Sequence, residues 1–136
     1  MIPITAESIR LFLHVMAATV WVGGQLVLLG LLPVLRGVGN DAPKLAAKKF
    51  NQLAWAAFAV LIVTGIWSLL AENPGDKGTS WNATFGVKML MVAATAIAAI
   101  VHAAGTSKPA LAIGGAVSLI AAVVAVFLGI QLTLGG

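Results

Sequence analysis

Four stretches of nearly uninterrupted apolar residues, separated by short polar clusters, organise this chain. They run over about residues 9–35, 53–70, 85–104 and 110–134. A helix needs about 20 apolar residues to cross the hydrocarbon layer of a bilayer, and each stretch approaches or exceeds that length. The stretches are continuous and rich in Ala and Leu, without the two-residue alternation of barrel strands. The pattern therefore predicts an all-α polytopic membrane protein, an antiparallel four-helix transmembrane bundle that fills residues 1–136 as one domain.

The connections agree. Residues 36–51 hold Gly37, Gly39, Asn40, Asp41 and Pro43, then Lys44, Lys48 and Lys49, which reads as a turn and a short basic lead into the second helix. Residues 72–82, ENPGDKGTSWN, form a Pro/Gly-rich polar loop of the kind that ends helices. Residues 105–109, GTSKP, form a tight turn between the third and fourth spans. The first span is too long for a removable signal peptide, whose hydrophobic core has about 7 to 15 residues.

Composition narrows the function classes. Only 9% of the 136 residues are charged, 60% are hydrophobic and the mean hydropathy is +1.05. A soluble domain carries about 25% charged residues to cover its surface. The same figures exclude disorder. Net charge is +4, but eight scattered basic residues make no continuous stripe for phosphate, so nucleic acid is excluded as a partner. Without cysteine there is no disulfide, thiolate zinc site or thioether-linked haem.

Charge instead sets orientation. The first and third loops hold Arg36, Lys44, Lys48, Lys49 and Lys108, five in all. The opposite side holds three, Arg10, Lys77 and Lys88. The positive-inside rule then places both termini outside the cytoplasm of an inner (cell) membrane, with Trp67 and Trp81 near the outer boundary.

Polar groups inside a membrane are expensive, so each is a candidate site. His14, Ala18, Trp21 and Gln25 share one face of the first helix, and Lys88, Thr95 and His102 share one face of the third. His14 and Lys88 each lie roughly 5 to 8 Å below the outer boundary, whereas His102 lies roughly 25 Å deep, at 1.5 Å per residue. His14 and His102 therefore cannot hold one iron together within a protomer, while His14 and Lys88 can share a site. Thr64, Ser68, Trp67 and Gln131 reach a similar depth. The bland alternatives are a packing seam around His14, a snorkelling Lys88, hydroxyls satisfied by their own helices, and Met16, Met89 and Met91 as filler rather than copper ligands.

The first span, LHVMAATVWVGG with His14, Trp21, Gly23 and Gly24, resembles the opening helix of the CopD and HemJ-like group of small membrane proteins. The VTGI of residues 63–66 and the FGVKML of residues 85–90 resemble that group as well. The resemblance implies a four-helix bundle with a functional His and Lys, here His14 and Lys88. HemJ-type members are associated with haem b and protoporphyrinogen oxidation, CopD-type members with copper uptake or tolerance.

The residues make a parallel case for haem b. A porphyrin needs an apolar slot, a His for iron and a polar or cationic group for its propionates. His14 supplies the metal ligand, Trp21 and Gly24 shape the slot with Thr64 beside them, and Lys88 pairs a propionate or moves protons as the catalytic candidate. His102 is a second candidate metal ligand. Copper is the alternative cofactor, through His14 with the methionines. A third reading is a non-catalytic subunit, in a homo-oligomer or a larger membrane complex, whose partner surface is the Gly114/Ser118 pair of small residues. With no carboxylate inside a span, a hydrolase or a carboxylate proton relay is disfavoured.

Overall fold

A computed structural model describes residues 1–135. Those residues are all-α, with four helical rods long and apolar enough to cross a membrane. The first rod, Ala6–Val38, is a composite. It comprises α1 (Ala6–Ala18), a π-helical turn (Thr19–Gly23) and α2 (Gly24–Val38). The others are α3 (Ala42–Glu72), α4 (Thr79–Ala104) and α5 (Lys108–Gly135), with a 3₁₀ turn over Pro74–Asp76.

Local sequence explains the ends. Thr5 caps α1 in a reciprocal box: its hydroxyl accepts from the Ser8 N–H at 3.2 Å, and the Ser8 hydroxyl accepts from the Thr5 N–H at 3.3 Å. Asn73, at φ 48°, turns the chain just past α3 in the left-handed conformation that Asn tolerates. The Asn82 side chain donates to the carbonyls of Pro74, Lys77 and Gly78 and so ties down the turn that follows.

Two boundaries differ from the sequence expectation. The basic lead of residues 44–49 is helical, because α3 begins at Ala42; Lys, Ala and Gln are good helix formers once a Pro has opened the first turn. Likewise α4 begins at Thr79, so the expected loop of residues 72–82 is shorter.

The chain divides into two compact units, Met1–Glu72 and the remainder from Asn73. In the first, the composite rod packs against α3 through Ala17, Trp21, Ala54, Ala57 and Thr64, all buried. Trp21 meets Trp55 edge-on at 5.1 Å and Phe58 at 4.7 Å between ring centroids. In the second, α4 packs on α5 through Thr95, Ala98, Gly114, Ser118, Ala121, Ala122 and Ala125. Small residues let the two backbones approach, which is how helices gain van der Waals contact when lipid removes the hydrophobic incentive to associate. Large apolar side chains such as Phe12, Val27, Leu90 and Phe127 point outward. Such a surface suits acyl chains rather than water.

Candidate functional site

The first unit holds a polar seam in an otherwise apolar interface. Arg10 and His14 are one turn apart on α1, and Thr64, Ser68 and Glu72 are successive turns on the antiparallel α3. His14 Nδ1 stands 2.7 Å from Thr64 Oγ1. Thr64 is 2% exposed, and its hydroxyl also stands 2.7 Å from the Val60 carbonyl and 3.2 Å from that of Leu61.

This geometry fixes proton positions. A threonine hydroxyl has one proton to give, and a carbonyl can only accept. The Thr64 hydroxyl therefore donates to its own helix, and the proton between His14 and Thr64 belongs to Nδ1. In the neutral ring the lone pair then sits on Nε2, the tautomer a metal-binding histidine uses when its other nitrogen is held by an outer partner. Ser68 donates to the Thr64 carbonyl at 2.9 Å, as hydroxyls in membrane helices commonly do.

The other expected site residues are placed as follows. Trp21 is 3% exposed and packed into the aromatic cluster with Trp55 and Phe58. The Phe50 ring occupies the space a Gly24 side chain would need. Both residues thus serve the packing of the composite rod on α3. The π-helical turn lies between His14 and Gly24 and contains Trp21, a backbone irregularity often found near functional positions and with no signature in the sequence.

Lys88 belongs to the second unit, where Gly129 leaves room for it: a Cβ there would lie 3.3 Å from Lys88 Nζ. His102 Nδ1 stands 2.6 Å from the Leu111 carbonyl, so it donates across the α4–α5 turn, and its ring lies over Gly115. This contact ties the end of α4 to the start of α5. Among the described residues no cluster of three or more His, Asp or Glu side chains could enclose a metal ion. Met16, two residues from His14, projects about 200° around the helix from it at 100° per residue, and Met89 and Met91 lie in the second unit. The pair Gly114 and Ser118, expected to face a partner, instead faces α4. Thr95 Oγ1 donates to the Ser118 carbonyl at 2.7 Å, and Ser118 Oγ donates to the Thr95 carbonyl at 2.9 Å.

Arg10 is the residue that the sequence undervalues. A charge at the edge of a span reads as solvated, yet Arg10 is 3% exposed. Its Nη2 lies 3.6 Å from a carboxylate oxygen of Glu7 and 3.6 Å from one of Glu72, which joins the start of α1 to the end of α3.

Comparison of the chain with known families, with curated proteins and with solved structures finds no match.

Proposed function

We propose that this chain is an integral membrane protein that holds haem b through His14 in a redox-type role. The observation that carries the reading is the 2.7 Å contact between His14 Nδ1 and Thr64 Oγ1. It holds the ring in one orientation and turns the Nδ1 proton to Thr64, the tautomer in which a metal-binding histidine ligates through Nε2. A haem asks one protein nitrogen of this unit and not a cage of three ligands. The resemblance of the first span to CopD and HemJ-like helices supports the same assignment.

When bound, the iron would supply one-electron chemistry within the membrane. Thr64 holds the imidazole against rotation, and the Val60 carbonyl holds the Thr64 hydroxyl. Trp21, Trp55 and Phe58 form an apolar cluster further along the same interface, toward the cytoplasm in the orientation that loop charge favours, with both termini outside an inner membrane.

An absorption spectrum of detergent-purified protein tests the proposal. A Soret band that disappears in His14→Ala supports it. Absence of haem from freshly expressed protein, even with haem supplied during growth, overturns it.

A further inference from the structure

Half of the chain's basic residues gather where the first rod turns into α3. Arg36 stands in the last turn of α2, and Lys44, Lys48 and Lys49 stand in the first two turns of α3. We infer that these four cations form a docking surface for the headgroup of an anionic phospholipid.

Helix length sets their level in the bilayer. α3 has 31 residues, about 46 Å at 1.5 Å per residue, whereas a hydrocarbon core is about 30 Å thick. Residues 53–70 carry no charge, so the surplus falls at the start of the helix, over residues 42–52. Lys48 and Lys49 then lie about 6 to 8 Å beyond Leu53, within the headgroup layer. Trp55 marks the same boundary: its half-buried indole donates to Asn51 Oδ1 at 3.1 Å, a polar tip on an apolar ring of the kind that membrane interfaces favour.

The four side chains are not engaged elsewhere. All are exposed, and among the described residues none makes a hydrogen bond or ion pair. Two cations of the other loops and ends are placed differently: Arg10 is buried beside Glu7 and Glu72, and Lys77 lies 5.6 Å from the centroid of the Trp81 ring. Asp41 is the one acid between residues 36 and 52, so four cations against one carboxylate leave this segment at +3. The lysines do not serve the helix itself, because cations in its first turns oppose the macrodipole.

Charge then selects the ligand. A zwitterionic lipid brings its own ammonium to a cationic surface, whereas an anionic phosphodiester brings a net negative charge. Lysines act on phosphate as point charges, and a cluster of four beside a span attracts anionic lipid. Leu53, 56% exposed and one turn from Lys49 on the hydrocarbon side, is placed to meet the acyl chain of the same molecule. That contact favours a lipid over a soluble phosphate.

The test is native mass spectrometry of the whole chain, released from detergent containing equal amounts of phosphatidylglycerol, phosphatidylcholine and phosphatidylethanolamine with matched acyl chains. Phosphatidylglycerol should be retained about tenfold over both others. Lys44→Gln with Lys48→Gln should bring retention close to parity, and Lys44→Arg with Lys48→Arg should preserve the preference. Removing the same amount of charge elsewhere, by Lys77→Gln with Lys108→Gln, should leave it unchanged. Equal retention of the three lipids by the unaltered chain overturns the inference, and so does an equal loss of preference in the two Gln pairs, which would assign the effect to net charge alone. Displacement of phosphatidylglycerol by free glycerol phosphate would also overturn it, by assigning the surface to a soluble anion.

Discussion

His14 donates through Nδ1 to the hydroxyl of Thr64, 2.7 Å away and fifty residues along the chain. The contact couples α1 to α3 and at the same time decides which imidazole nitrogen keeps its lone pair. Stability and ligand chemistry thus meet in one hydrogen bond, and they can be separated by the right substitutions.

Thr64→Val keeps the shape of the side chain but removes the acceptor. Haem affinity should fall by about 10- to 100-fold, the usual effect of losing an outer partner of a ligating histidine. Thr64→Ser should retain most of it. Titration of the Soret band in apoprotein reads the difference, and equal affinities in Thr64→Val and wild type would remove Thr64 from the site.

Gly24 lies under the ring of Phe50. Gly24→Leu should therefore destabilise the first unit by about 1–3 kcal/mol through overpacking, seen as a lowered unfolding midpoint in detergent. Adding Phe50→Ala should recover part of that loss. Additive losses in the double variant would show that the two residues do not share the space.

The adjacent glycines of α5 should differ from each other. A Cβ on Gly114 would stand 2.9 Å from the backbone nitrogen of His102 and 3.0 Å from the Ala98 carbonyl, neither of which can step aside. A Cβ on Gly115 would stand 3.1 Å from the His102 ring, which can rotate. Gly114→Ala should thus lower thermal stability clearly more than Gly115→Ala. The reverse order would contradict the α4–α5 packing.

Thr95 and Ser118 exchange hydrogen bonds with each other's carbonyls. Membrane double-mutant cycles give about 0.6 kcal/mol for such contacts on average. Thr95→Val and Ser118→Ala should accordingly couple by about 0.5–1 kcal/mol in an unfolding titration.

The spans were legible because continuous apolar runs of membrane length admit few alternatives. Their ends were less so: Lys44, Lys48 and Lys49 are polar enough to resemble a loop, yet helical in α3. His14 and Thr64 were both identifiable as polar groups at matching depth, but the proton assignment needs the Val60 carbonyl, which only the folded helix supplies. Arg10 reads in the sequence as a charge at a span boundary, because its partner Glu72 is far away along the chain. The small-residue spacing of Gly114 and Ser118 was visible. Which helix it would meet was not, since the same spacing serves an internal neighbour or a foreign one.

The π-helical turn at Thr19–Gly23 also bears on how this protein can vary in length. A π turn accommodates one surplus residue inside an α-helix. Loss of a single residue there would let the rod close into uninterrupted α-helix with His14 and the α2 residues still facing α3. Loss of a residue elsewhere in the rod would rotate one end by about 100° relative to the other and carry either His14 away from Thr64 or Gly24 away from Phe50. The first span therefore contains one position where its length, though not its facing, is free to drift.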